Sequence, residues 1–105
     1  MARVVALAPD LFFASKIDAT LKAAGHEVTI LGADPVIGDA DLVIVDLDNT
    51  ADLSVALRPG TPTLGFYSHV DADTRRRAEE AGFDLVVARS RMAREMPTLV
   101  ASLLD

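Results

Sequence analysis

The chain alternates two kinds of segment along its length, and this alternation restricts the available folds more than any other feature. Short, almost wholly apolar runs fall at Arg3–Ala8 (RVVALA), Glu27–Leu31, Asp41–Val45 (DLVIV), Thr63–Tyr67 (TLGFY) and Asp84–Val87 (DLVV). Continuous apolar runs this short fit strands buried on both faces of a parallel sheet. Between them lie segments of helical period. In LFFASKIDATLKAAG, Phe13, Ile17, Leu21 and Ala24 recur at helical spacing, Asp10 is suited to cap the start, and Gly25 to end it. Asp71–Ala81 (DADTRRRAEEA) predicts a charged helix closed by Gly82, and Met92–Leu104 a last helix with Met96, Leu99, Val100 and Leu103 as its apolar stripe. Pro97 is tolerable in the first turn of that helix and would kink it elsewhere. Strands alternating with helices imply right-handed βαβ units, so the expected architecture is α/β, one domain over residues 1–105 with a five-stranded parallel sheet.

Two crossovers are short. Only GADPVIGDA joins the second and third strands, so the second helix is expected to be short or missing. The third is confined to about Ala51–Leu57, before the Pro59-Gly60 turn. One sheet face is therefore expected to be thinly covered near strands one to three. Val36 and Ile37 are the candidates to fill the gap; without them an exposed apolar face would seek a partner, and a homodimer is expected.

Composition removes several function classes. The net charge is −6, from sixteen acids against ten Lys and Arg, a field that repels nucleic acid and anionic lipid. There is no cysteine, which excludes disulfides, thiolate metal sites and cysteine nucleophiles. The opening MARVVALAPD is too short for a signal h-region and no apolar stretch reaches membrane-spanning length, so the expected address is the cytoplasm. Pro9-Asp10-Leu11 stands where a nucleotide or flavin site needs glycines.

Open parallel sheets bind ligands at the carboxyl ends of their strands. Those ends hold Pro9 and Asp10, Asp46 and Asp48, Ser68 and His69, and Arg89 and Ser90. Clustered carboxylates suit a hard divalent cation, and a hydroxyl with a guanidinium suits a phosphoryl group. Each residue also has a plain structural reading. Asp10 suffices as a helix cap, Ser68 and His69 can cap the helix starting near Asp71, and Asp48 can be an ordinary loop acid. Phe12, Phe13 and Phe66 read as core or interface residues, Lys16 as solvated, and Arg75–Arg77 as a solvated helix face.

Over nearly its whole length the chain resembles the receiver domains of two-component response regulators. DLVIVD resembles the third strand of that family, TPTLGFYSH the fourth, and AEEAGFDLVVARS its AGAD…KP segment. The resemblance implies a flavodoxin-like three-layer sandwich with strand order 2-1-3-4-5. It implies Asp46 as phosphoacceptor, Ser68 and Arg89 on the phosphoryl oxygens, and Mg²⁺ held by Asp10, Asp46 and the main-chain carbonyl of Asp48. A histidine kinase or another signalling protein would be the partner. Departures accompany it: Pro9 replaces an acid, Arg89 a lysine, and Val86 stands near the position of an aromatic switch residue. These point to an atypical, stand-alone module, either accepting a phosphoryl group or acting as a phosphorylation-independent interaction domain. The competing pattern is VIVDLDNT, similar to the D-x-D-x-T motif of haloacid-dehalogenase-type phosphatases. It would make Asp46 the nucleophile, Asp48 the general acid/base and Thr50 a helper, but the short remainder of the chain offers no later acidic motif.

Overall fold

A computed structural model describes residues 2–32, 37–68 and 72–105. Five strands, β1 (Arg3–Leu7), β2 (Glu27–Leu31), β3 (Leu42–Asp46), β4 (Thr63–Tyr67) and β5 (Leu85–Ala88), form one parallel sheet in the order β2-β1-β3-β4-β5. The helices are α1 (Leu11–Ala23), α2 (Ala72–Ala81) and α3 (Arg89–Leu104), with two 3-10 turns at Leu47–Asn49 and Leu53–Ala56. Fold class and strand order are those expected from the sequence.

The pleat divides each strand between two cores. Val4, Ala6, Leu42, Ile44, Leu64, Phe66 and Val87 meet Phe13, Ile17 and Leu21 of α1 and Met92, Met96, Leu99 and Val100 of α3. Val5, Leu7, Val43 and Val45 face the other way, against Ile37, Leu47, Leu53, Ala56, Ala78 and Phe83. Each large apolar side chain withdrawn from water contributes about 1.5–3 kcal/mol before the cost of ordering the chain.

Helix α1 begins where Asp10, in extended backbone, accepts the N–H groups of Phe12 and Phe13 at 3.0 and 3.4 Å. It ends in a Schellman motif: Gly25, at φ +92°, donates to the Lys22 carbonyl, and His26 to that of Leu21. The same motif closes α2, with Gly82 at φ +102° donating to Glu79 and Phe83 to Ala78. Buried Phe83 then packs in the cluster that holds Ala78.

Several expectations are corrected. The third helix is only the 3-10 turn Leu53–Ala56, because Asp52 caps Ser54 and too few residues remain before Pro59 for a longer coil. Helix α3 starts at Arg89, three residues before Met92, so Arg89 and Ser90 lie in its first turn and Pro97 in its interior, on an exposed position. Ala24 is exposed, and Ala14 takes its place in the α1 stripe. Of the three residues read as core or interface, Phe13 and Phe66 are core, while Phe12 is almost fully exposed and only the interface reading is left to it. The sheet face beneath strands one to three is open only over β2, where Glu27 and Thr29 are exposed and Leu31 is half-buried. Val5 and Leu7 are buried under the turns and Ile37, whose carbonyl, with that of Gly38, is gripped by the Arg58 guanidinium. Val36 and His69 lie outside the described residues.

Candidate functional site

At the carboxyl end of the central strand, Asp46 is 1% exposed. Its backbone leaves β3 and enters the 3-10 turn, and its side chain caps that turn. Oδ1 accepts the Asp48 N–H at 3.2 Å and Oδ2 the Asn49 side-chain amide at 2.8 Å. Both oxygens of this buried carboxylate are therefore engaged locally, which offsets the cost of desolvating it. Asp48 extends outward and accepts the Ser68 N–H at 2.7 Å and its hydroxyl at 2.5 Å, tying the end of β4 to the turn after β3. Arg77 of α2 reaches over the same turn and donates to the carbonyls of Leu47 and Thr50 at 3.1 and 3.2 Å.

Arg89 lines a cavity of about 620 Å³ with Leu47, Asp48, Asn49, Ser68 and Arg77, while its guanidinium is bound to Asp10. Its Nη2 lies 2.6 Å from Asp10 Oδ2, and its guanidinium carbon sits 4.4 Å from the centroid of the Phe13 ring. Phe13 in turn packs on Phe66, with ring centroids 4.7 Å apart. The hydrogen bond from Arg89 is the main cause holding the Asp10 carboxyl below its usual range. The N–H groups of Phe13 and Phe12 act in the same direction, and desolvation opposes them.

The structure thus pairs Asp10 with Arg89 and Asp48 with Ser68, and brings Asp48, Ser68 and Arg89 to the wall of one cavity beside the turn that Asp46 caps. Asn49 and Arg77 escaped the sequence reading. Asn49 stands three residues after Asp46, a spacing that suits a side-chain contact across one turn. Arg77 is one of three consecutive arginines, and only the fold distinguishes it from Arg75 and Arg76, which pair with Glu79 and Asp73 on their own helix.

The donor set does not fit a divalent cation. Pro9 brings no carboxylate, both Asp10 oxygens are occupied by N–H donors, and the Arg89 guanidinium already supplies the positive charge beside them. Asp46 is buried with one hydrogen bond already on each oxygen, and no group of three His, Cys, Asp or Glu among the described residues is arranged to hold a metal ion.

The chain matches no family model and no curated protein at the sequence level. Solved structures do match it. The non-phosphorylated HemR receiver domain from Leptospira biflexa superposes with a TM-score of 0.82 at 15% identity, covering 100% of this chain and 95% of that one. A CheY-like response regulator receiver domain protein from Methanospirillum hungatei gives 0.83 at 18% identity, covering 100% and 94%. The chain has a receiver fold. A response regulator receiver protein from Burkholderia phymatum agrees, at 0.81 and 19% identity over 99% of this chain and 95% of its own. The receiver fold accounts for the full length with five strands, and the phosphatase reading of Asp46, Asp48 and Thr50 is not supported. In this receiver fold the Asp48 carboxylate is committed to Ser68, and the Thr50 carbonyl to Arg77. Among the described residues no helix is long and apolar enough to cross a membrane.

Proposed function

We propose that this chain is a signalling module on a receiver fold that works by protein interaction and not by phosphoryl transfer to Asp46. The observation that carries the reading is the burial of Asp46, with a local hydrogen bond on each of its oxygens. A carboxylate that attacks phosphorus must present a free oxygen in line with the leaving group, within reach of cations that neutralise the developing charge. Asp46 is buried, both of its oxygens accept hydrogen bonds from its own turn, and the guanidinium expected to face it is bound to Asp10. Mg²⁺ has no role in this reading, and a histidine kinase is not required as phosphodonor.

The test is incubation with acetyl phosphate and Mg²⁺, and separately with beryllofluoride and Mg²⁺, read by intact mass and by amide chemical shifts. The expected result is no covalent adduct and no shift at Asp46, Asp48 or Ser68. A phosphoryl adduct that disappears in Asp46→Asn overturns the proposal and restores the phosphoacceptor reading.

A further inference from the structure

Strand β2 forms one edge of the sheet. Glu27 donates its N–H to the Ala2 carbonyl at 2.9 Å and Leu31 accepts the Ala8 N–H at 3.2 Å, so the odd-numbered residues of β2 address β1. Backbone groups alternate in direction along a strand, and the N–H and C=O groups of Val28 and Ile30 therefore point outward. Among the described residues none bonds to them. Edge strands are ordinarily blunted by lysine, proline or a bulge. The run EVTIL contains neither lysine nor proline, pairs with β1 without a bulge, and carries its one charge, Glu27, at the end. The other edge, β5, is shorter and runs directly into α3.

This edge matches its own two-fold image. An antiparallel pairing centred on Thr29 sets Val28 of each copy opposite Ile30 of the other. Both are hydrogen-bonded pairs, each exchanging its two N–H···O bonds, so the outward groups are satisfied. Val28 and Ile30 lie half-buried at the rim of the core under α1, and β-branched neighbours across the ladder extend that core. On the opposite face the two exposed Thr29 side chains meet at the axis, where Thr–Thr pairs are favourable. The two Glu27 carboxylates fall at opposite ends of the ladder, roughly 14 Å apart and beyond the screening length of about 8 Å. Centring the pair on Val28 instead would halve that distance.

The charges beside the edge are self-complementary as well. Helix α1 lies over β2, and α3 over β4 and β5. The Phe13 ring faces Arg89 of α3, so at helical spacing Asp18 and Lys22 fall on the opposite flank of α1, toward the β2 edge. They carry one charge of each sign. Running two such flanks antiparallel sets Lys22 of each copy toward Asp18 of the other, which favours a second copy over a partner strand flanked by one sign of charge.

We infer that β2 is the interface of a two-fold dimer of this chain, joined edge to edge through Val28 and Ile30 about an axis at Thr29, so that two sheets become one. The contact is closed, because each copy spends its only β2 edge on the other. Five residues per copy is far below the roughly 20–30 a side of a standard interface, so the dissociation constant is expected on the order of 0.1 mM. The pairing makes no use of Asp46 and goes beyond the interaction-module reading.

The test is sedimentation equilibrium and amide exchange of the full chain from about 0.02 to 2 mM, a range that brackets the expected constant, in EDTA with no phosphodonor. The expected result is a monomer–dimer equilibrium in which the Val28 and Ile30 amides gain protection with the dimer fraction, while Thr29, whose N–H already addresses β1, does not. Thr29→Lys sets two ammonium groups at the axis and should weaken association at least about tenfold, whereas Thr29→Val should retain it. Thr29 is exposed, so these replacements leave the fold intact, and an unchanged amide spectrum at low concentration checks this. The chain holds no cysteine, so Thr29→Cys supplies a single thiol. Facing residues of such a non-hydrogen-bonded pair lie about 4.5 Å apart at Cα, and mild oxidation should link the copies there. Glu27→Cys should stay unlinked. A monomer at the highest concentration, a dimer indifferent to Thr29→Lys, association that grows beyond the dimer, or Glu27→Cys linking as readily as Thr29→Cys overturns the inference. None of these outcomes bears on Asp46, and a phosphoryl adduct there would leave the dimer standing.

Discussion

Asp10 serves two masters, capping α1 through Oδ1 and holding Arg89 through Oδ2. Because both contacts favour the ionised form, its folded-state pKa lies below the ordinary value of 3.8. The contribution of Asp10 to stability is therefore fully present above that value and is lost as pH falls through the depressed folded-state value. In urea titrations Asp10→Asn should be less stable than the parent at pH 7, and the gap should narrow as pH is lowered below 3.8. Gly65 is constrained by space instead of charge. A Cβ there would sit 2.9 Å from Leu47 Cδ1 and 3.1 Å from Cδ2 and Cγ, and Leu47 is itself buried. Gly65→Ala should cost about 1–3 kcal/mol by overpacking, measured by chemical denaturation. It should also shift the amides of Asp48 and Asn49, because Leu47 opens the turn that Asp46 caps.

At the scale of elements, α3 carries a visible inefficiency. Pro97 lies in its interior and removes one backbone N–H from the helical ladder. Its position is exposed, so Pro97→Ala leaves the buried stripe of Met92, Met96, Leu99 and Val100 untouched and restores a donor. The variant should be stabilised by about 1 kcal/mol or more, seen as a higher urea midpoint at an unchanged m-value. Conversely, Gly82→Ala places a Cβ at φ +102° and should cost about 1 kcal/mol. Much of this level was readable from sequence. Asp10, Gly25 and Gly82 punctuate the helices because caps depend on local chemistry, and the apolar runs identify the strands because burial on both faces demands it. The start of α3 is not legible because its cap, Ala88, has no side chain to bond the first turn, and Arg89 is held instead by tertiary contacts with Asp10 and Phe13. The pairings of the site were illegible for a related reason. Residue types at strand ends show which groups meet, but not that Arg89 prefers Asp10 and Phe13, or that Asn49 closes over Asp46.

Over the whole molecule, the two sheet faces are covered by different means. Helices α1 and α3 protect one, while α2, two 3-10 turns and the segment at Ile37 protect the other. Each face has its own buried cluster, and Phe66→Ala, which removes a fully buried ring beside Phe13, should cost about 3–5 kcal/mol in equilibrium unfolding. Helical cover is held by its own ladder of hydrogen bonds, whereas turn cover depends on isolated ties such as those of Arg58 and Arg77. The two halves should thus differ in the free energy needed to open them. In native-state hydrogen exchange, amides of the Leu47–Asn49 and Leu53–Ala56 turns should exchange through local opening, while those of Ile17 and Leu21 wait for global unfolding. Equal protection on the two sides would contradict this. The grip of Arg77 on the Leu47 and Thr50 carbonyls has a dynamic consequence: α2 and the turn around Asp46 should open as one unit, and Arg77→Gln should let the turn exchange without the helix.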